Sequence, residues 1–341
     1  TTCVPALVDI AAMRDAIAEA GGDPAALTPV LPVDVSVDHS VAVDWHGRPG
    51  AREHNMRREM DRNSERYRLM KWATTALPAR FYVEPAMAGV DRRAIFDRAW
   101  QLVAHVSQLR GAGDHVVANL GGLPVIAVRG ADDVIRAFHN VCRHRAGPIA
   151  QCDGLGAKAL RCRYHGWTYT LEGQLRSAPE MKDAMDFEVS SIHLPQLAVK
   201  IWQGLVFAAV DEANAPAFDA FVAGIDARLG ADRGLEHYGN HHRASYDIDC
   251  NWKVYVDNYL EGYHVPHVHP GLNRLLDYRS YRTELERWHS LQWSPLESDA
   301  SLYGNGDALY YWLWPNAMLN ILPGRLQTNR VIPLGVDRCQ V

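Results

Sequence analysis

The pattern that most constrains this chain is Cys142-x-His144, then seventeen residues, then Cys162-x-x-His165. Two thiolates on one iron and two neutral imidazoles on the other describe a mixed-ligand [2Fe-2S] cluster. Exchanging Cys for His removes negative charge and raises the potential, so such a centre is built to pass single electrons. A tetrahedral structural zinc site draws on the same residue types, although Cys-x-His is an unusual first pair for one. The ligand segments VCRHRAGP (141–148) and RCRYHGWTY (161–169) each carry Gly and aromatic flanks suited to short loops. Upstream, VIAVRGADDVIRAFHNVC predicts a strand, a Gly-Ala-Asp-Asp turn and a second strand, the mark of a hairpin-rich β domain. Trp167 and Tyr169 then alternate along the strand that leaves the second loop.

A length of 341 residues leaves room for two or three domains. A net charge of -5 gives no basic footprint for nucleic acid, and no run of about 18 apolar residues is present to span a membrane. The start shows no charged-then-apolar leader, and a cytoplasmic location is expected. Cys3, Cys152, Cys250 and Cys339 lie scattered without paired spacing and read as plain thiols in a reducing compartment.

A second metal-ligand pattern occupies NWKVYVDNYLEGYHVPHVHPGLNRLL (251–276). Helical spacing predicts that Asp257, Glu261 and His264 share one face, and Pro266 breaks the helix so that the chain turns back. Two His and a carboxylate form the facial triad of non-haem Fe(II), which leaves positions open for dioxygen. With both patterns present, residues from about 75 to 341 resemble the catalytic alpha subunit of Rieske non-haem iron oxygenases, the ring-hydroxylating and choline monooxygenase-like family. The resemblance rests on Asn251-Trp252-Lys253, Asp257-Asn258, then an acid ahead of His-x4-His, together with the cluster motif.

That resemblance implies that Cys142, His144, Cys162 and His165 hold a [2Fe-2S] cluster and that His264 and His269 bind a mononuclear Fe(II). It implies that Glu261 bridges a cluster histidine of a neighbouring subunit to His264, with Asn258 and Asp257 in the same catalytic segment. His267 falls inside the spacer. Aromatic-ring dioxygenases of the family usually carry Asp where this chain has Glu261, which tilts the implied substrate toward a quaternary ammonium compound, with aromatic compounds second. Electrons would come from an NAD(P)H-dependent reductase or ferredoxin, and the subunits would form a homotrimer. The family's third iron ligand is a carboxylate on a later helix. The acids after His269, namely Asp277, Glu284, Glu286, Glu297, Asp299, Asp307 and Asp337, read as solvated surface charges, with Asp337 in a hairpin turn. The alternative is an inactive or electron-transfer-only fragment that binds the cluster but lacks that ligand.

Residues 1–74 read differently. PALVDIAAMRDAIAEAGG (5–22), VDVSVDHSVAVD (33–44) and NSERYRLMKW (63–72) resemble, in order, a fragment of aconitase's first domain. Asp38 and His39 match an active-site pair of that family, but its three cluster cysteines are absent, so an aconitase-type lyase is the weaker reading. The join is expected near residues 73–77.

The expected fold is α+β: an N-terminal α/β fragment (1–74), a helix plus antiparallel β Rieske domain (75–210), and an incomplete helix-grip catalytic domain (211–341). In the last, a curved antiparallel sheet surrounds a helix. KIWQGLVFAAV (200–210) is predicted as the closing strand of the Rieske domain, and APAFDAFVAGIDARL (215–229) as a helical connection. Within DALYYWLWPNAMLNILPG (307–324), Tyr310, Trp312 and Trp314 are expected on one strand face, where they form either core or a cation-π cage.

Overall fold

A computed structural model of the chain describes residues 17, 44–62, 79–229, 234–239, 242–296 and 306–341. Its contacts separate two units, Thr1–Val83 and Glu84–Val341. In the first, helix α1 (Ala51–Arg62) carries Asn55, whose side chain exchanges two 2.9 Å hydrogen bonds with the Trp45 backbone, and a short helix α2 spans Arg80–Val83. Apart from residues 17 and 44, the aconitase-like readings over 5–22, 33–44 and 63–72, with Asp38 and His39, and the expected join lie outside the described residues.

The second unit opens on α3 (Ala86–Ala94), which Pro85 starts. Nine strands follow: β1 (Gln101–His105), β2 (His115–Leu120), β3 (Leu123–Arg129), β4 (Ile135–His139), β5 (Leu160–Arg161), β6 (Thr168–Tyr169), β7 (Leu175–Ser177), β8 (Gln196–Trp202) and β9 (Leu205–Ala209). They form a six-stranded sheet in the order β1-β9-β8-β4-β3-β2 and a small sheet β5-β6-β7, every pair antiparallel. The expected hairpin is β3-β4, turned through Asp133 in the left-handed region (φ 65). Successive residues of β3 point to opposite faces, and both faces are covered. Val125 and Ala127 join one core with Leu109 and Val206, while Ile126 and Val128 join another with Cys142, Cys162, Trp167 and Tyr169.

KIWQGLVFAAV is not one strand. Gln203 (φ 50) and Gly204 (φ 75) both take positive φ, the requirement of a two-residue I′ turn, and they fold the segment into the hairpin β8-β9. The connection after it likewise breaks into α4 (Phe218–Phe221) and α5 (Ile225–Leu229), with Gly224 between them.

Next come β10 (Asp247–Ile248), α6 (Trp252–Tyr259), α7 (Val265–Val268), α8 (Pro270–Leu275), β11 (Arg282–Leu285), β12 (His289–Pro295), β13 (Asp307–Leu313), β14 (Ala317–Leu322), β15 (Arg325–Arg330), β16 (Ile332–Pro333) and β17 (Cys339–Gln340). Strands β11 to β15 make an antiparallel meander in sequence order, and β10-β17-β16 make a small sheet. One face of the meander (Leu291, Leu309, Tyr311, Leu319) packs on Leu102, Phe207, Phe221 and Ile225. The other face receives α6, where Trp252 and Val256 meet Met318, Val331 and Phe96. Helix on one side of an antiparallel sheet is the expected arrangement.

The aromatic run divides. Tyr310 packs with Leu272, Leu276 and Tyr281, whereas Trp312 packs with the α6 cluster and donates its Nε1–H to Pro315 O at 3.1 Å. Because β13 ends at Leu313, Trp314 leaves the strand and lies 5.3 Å from Trp288, ring to ring. These three side chains therefore form no common cage.

Arg330 joins the two sheets. β1 is bulged between Leu102 and Ala104, and the Arg330 guanidinium donates to the Leu102 and Val103 carbonyls at 3.2 and 3.4 Å. Burial lowers its pKa to about 10, still far above neutral pH, so it remains cationic.

Candidate functional site

The two cluster-motif loops fold alike. Cys142 N–H donates to Gly147 O at 2.8 Å and its carbonyl accepts from Ala146 N–H at 3.1 Å; Cys162 does the same with Trp167 O (2.9 Å) and Gly166 N–H (3.0 Å). Each five-residue turn presents its Cys inward and its His at the tip. Cys142 and Cys162 are 4% and 3% exposed, and the His144 and His165 rings stand 4.6 Å apart at 72°. A Cβ on Gly147 would sit 3.1 Å from Cys162 Sγ and 3.2 Å from Tyr164 Cβ, so glycine is what lets one loop lie against the other.

Three observations make this donor set fit a two-iron cluster. The Nδ1 of His144 is buried with no hydrogen-bond partner, which is costly for a polar atom unless a metal takes it. His144 stacks on Trp167 at 4.8 Å, and Tyr164 tilts over His165 at 3.9 Å, so both rings are held. The pKa of His165 is lowered, by desolvation first and then by His144 and Arg145, which favours the neutral ring a metal requires. Tyr169 closes the base. Its hydroxyl lies 3.2 Å from Cys142 Sγ and accepts from Arg143 N–H at 3.1 Å. Burial pushes the phenol's pKa far up, so it stays protonated and donates to the sulfur. Among the described residues no three His, Cys, Asp or Glu side chains gather on one ion, a pattern that a cluster with two protein ligands per iron does not need.

The second site begins at Asn251, the N-cap of α6, whose side chain accepts from Lys253 N–H at 2.9 Å and donates to Val336 O at 2.7 Å. Trp252 Nε1–H donates to Asp91 Oδ2 of α3 at 2.9 Å, and the Lys253 ammonium pairs with the same oxygen; Asp91 and Lys253 are 5% and 7% exposed. The Asn-Trp-Lys triplet thus fixes where the helix starts.

Helix α6 stops at Tyr259, earlier than the spacing predicts, so Asp257, Glu261 and His264 do not share one helical face. Gly262 follows two residues after the C-cap Leu260, and only a glycine fits there, because a Cβ would run into the Tyr281 ring. Pro266 does not break a helix but sits in the first turn of α7, where its missing N–H is tolerated. His264 is the residue before α7 and His269 lies between α7 and α8, which brings their rings to 5.1 Å at 73°. Glu261 Oε1 lies 2.5 Å from His264 Nδ1, and Oε2 accepts from Tyr263 N–H. A carboxylate on Nδ1 puts the proton there and leaves Nε2 free to bind metal. Two imidazoles, one so oriented, fit two positions of a mononuclear iron.

Asp257 lies half-buried on α6, while Asn258 and His267 are exposed. Among the described residues no carboxylate completes a three-ligand set with His264 and His269. Asp277 instead caps its own turn through Ser280 Oγ at 2.6 Å, Glu284 pairs with Arg228 at 2.9 Å, and Glu286 and Asp337 are exposed, the latter in the β16-β17 turn. Glu297 and Asp299 are outside the described residues.

A polar chain beneath the histidine loop escaped sequence reasoning. Tyr281 donates to Gln292 Oε1 at 2.5 Å, Gln292 Nε2–H donates to Tyr259 O, and Tyr259 donates to Asn320 Oδ1 at 2.6 Å. It ties the end of α6 to β12 and β14. No local pattern marks these residues, because the partners are far apart in sequence.

Comparison with known proteins gives three family matches: a Rieske [2Fe-2S] domain over residues 99–198, a ring hydroxylating alpha subunit (catalytic domain) over 235–341, and the aconitase family (aconitate hydratase) over 1–114. The aconitase and Rieske matches share residues 99–114, and in the structure those residues carry β1, paired with β9. The chain is 34% identical over 282 residues to a chloroplastic choline monooxygenase of Arabidopsis thaliana, covering 77% of this chain and 66% of that protein. It is 32% identical over 253 residues to the carnitine monooxygenase oxygenase subunit of Escherichia coli (strain K12), covering 72% and 67%. The solved quaternary ammonium Rieske monooxygenase CntA superposes with a TM-score of 0.71 at 29% identity, over 77% of this chain and 73% of that one. Naphthalene 1,2-dioxygenase, at 20% identity and a TM-score of 0.64, shares the fold. The chain spans about two thirds of the length of the curated relatives it matches.

Proposed function

We propose that this chain, which belongs to the Rieske non-haem iron ring-hydroxylating oxygenase family, is an oxygenase subunit that hydroxylates a small quaternary ammonium compound, with an aromatic compound as the second choice. The observation that carries the reading is the buried, unpartnered Nδ1 of His144 at the meeting point of two matched ligand loops. Similarity to choline and carnitine monooxygenases supports the substrate class.

In this reading Cys142 and Cys162 hold one iron of a [2Fe-2S] cluster, His144 and His165 hold the other, and His264 and His269 hold a mononuclear iron. The chemistry that bound metal supplies is one-electron transfer at the cluster and dioxygen activation at the iron. Tyr169 donates to Cys142 Sγ and draws charge off that sulfur. Glu261 fixes the His264 tautomer, and its side chain is still 40% exposed. A carboxylate has about four lone-pair sites, so Glu261 can also accept from His144 or His165 of a neighbouring copy. This gives electrons a hydrogen-bonded route between subunits of a homotrimer. An NAD(P)H-dependent reductase or ferredoxin supplies those electrons. The boundaries we assign are 1–74, 75–210 and 211–341.

The test is oxygen uptake by the purified chain, loaded with iron and sulfide and supplied with a surrogate reductase, on choline, carnitine and γ-butyrobetaine. Substrate-dependent uptake with a hydroxylated product is expected. In Glu261→Gln the rate should drop at least tenfold while the visible spectrum of the cluster is unchanged. A cluster that reduces and reoxidises with no substrate-dependent uptake would overturn the oxygenase reading in favour of an electron carrier.

A further inference from the structure

Cys250 and Cys339 belong to neither ligand set, and the sequence pairs them with nothing. We propose that they are an oxidative modification site that closes to an intramolecular disulfide when the chain meets a peroxide. The proposal does not depend on the oxygenase reading.

The topology brings them together. Strand β10 pairs antiparallel with β17, with Ile248 opposite Cys339, and Cys250 follows Ile248 by two residues. Cys250 N–H folds back onto the Ile248 carbonyl at 2.9 Å, which turns the chain toward the start of α6. The two sulfurs come to rest 4.0 Å apart, although 89 positions separate them in sequence. A disulfide needs about 2.05 Å. Moving one thiol to another staggered well displaces its sulfur by more than that difference, so closure calls for a side-chain rotation of ordinary size. The cysteines also differ in access: Cys250 is partly exposed and Cys339 is 0% exposed.

That difference orders the chemistry. The Cys250 sulfur attacks the peroxide, the O–O bond breaks, and Cys250 becomes a sulfenic acid as one water leaves. The Cys339 sulfur then attacks Cys250 sulfur. An S–S bond forms, the S–O bond breaks, and the departing hydroxide leaves as a second water with the Cys339 proton. The two thiols lose two electrons and the peroxide gains them. Burial and the neighbouring Cys250 hold the Cys339 pKa up at about 12, so peroxide meets Cys250 first, and Cys339 attacks as its proton passes to the departing hydroxide. The product would tie β17 covalently to the residue preceding the Asn251 cap. A tie already runs there, from Asn251 Nδ2–H to Val336 O.

The experiment uses the full chain, purified under reductant, desalted, treated with hydrogen peroxide, alkylated and digested with trypsin without reduction. Cleavage after Arg243, Lys253 and Arg338 makes the diagnostic species a linked pair, residues 244–253 joined to the peptide that begins at Cys339. Its mass should be two hydrogens below the sum of its parts. We expect that pair in the treated wild type, its reversal by dithiothreitol, and its absence from both Cys250→Ser and Cys339→Ser. If peroxide leaves both cysteines alkylated while exposed Cys152 is oxidised, or drives Cys250 to an unlinked sulfinic acid, the pair is an ordinary core contact and the proposal fails.

Discussion

Replacing Asp91 by Ala strips the Lys253 ammonium of its carboxylate and Trp252 Nε1–H of its acceptor in one step. Both charged residues are less than a tenth exposed, so water cannot take over. Removing one partner of a buried ion pair costs about 3–5 kcal/mol, because the remaining charge keeps its desolvation penalty without its compensation. The indole N–H adds about 1–3 kcal/mol if it stays unmet. Asp91→Ala should therefore lose about 4 kcal/mol or more, and Lys253→Met about 3 kcal/mol, since Asp91 keeps its bond from Trp252. Asp91→Leu with Lys253→Met removes both charges and should come out within about 2 kcal/mol of the parent. Urea unfolding followed by circular dichroism, extrapolated linearly to water, measures all three. A double variant as unstable as the sum of Asp91→Leu and Lys253→Met measured singly would refute the reasoning, because the loss would then come from packing and not from the broken ion pair.

Tyr169→Phe removes the donor to Cys142 Sγ, so the reduced cluster is less well stabilised. Protein-film voltammetry should find a lower reduction potential with the visible spectrum intact; an unchanged potential would sink the assigned hydrogen bond. Gly262→Ala places a Cβ 2.4 Å from the Tyr281 ring, and overpacking of this kind costs about 1–3 kcal/mol. Thermal unfolding should record that loss, and in a Tyr281→Ala background, which has its own cost from losing the bond to Gln292, the glycine substitution should add little. The carboxyl of Asp132, in the β3-β4 turn, is held at about 2, below its ordinary 3.8, chiefly by the bidentate Arg136 guanidinium. A depressed folded pKa means that its contribution to stability is full above pH 3.8 and is lost as pH falls toward 2. Carboxyl-carbon NMR should find a midpoint near 2, and Arg136→Gln should move it up toward 3.8.

What the sequence made legible was whatever the chain encodes locally. Cys142, His144, Cys162 and His165 stand in loops whose hydrogen bonds close within five residues, so spacing alone describes them. The β3-β4 hairpin and the shared face of Trp167 and Tyr169 follow from period-two alternation for the same reason. Misreadings came where a distant residue decides. Helical spacing carries α6 through His264, but the helix ends at Tyr259; Gly262 is a local stop signal, while the Tyr281 ring that requires a glycine there lies 19 positions on. The carboxylate that pairs with Lys253, Asp91, is 162 positions away, and only the folded chain reveals it. The turn at Gln203-Gly204 is a different case: the glycine is a local signal, masked by the apolar run around it.

Arg330 has a mechanical consequence. Its guanidinium donates to two carbonyls at the bulge in β1, and that bulge lies in the six-stranded sheet whose β4 leads into the first ligand loop, while Arg330 itself sits on the edge strand of the sheet beneath α6. Neither sheet can slide by one residue or peel away without stranding a buried cation and two carbonyls. The halves are therefore latched, and hydrogen exchange should see amides of β1 and β15 open together, as one event.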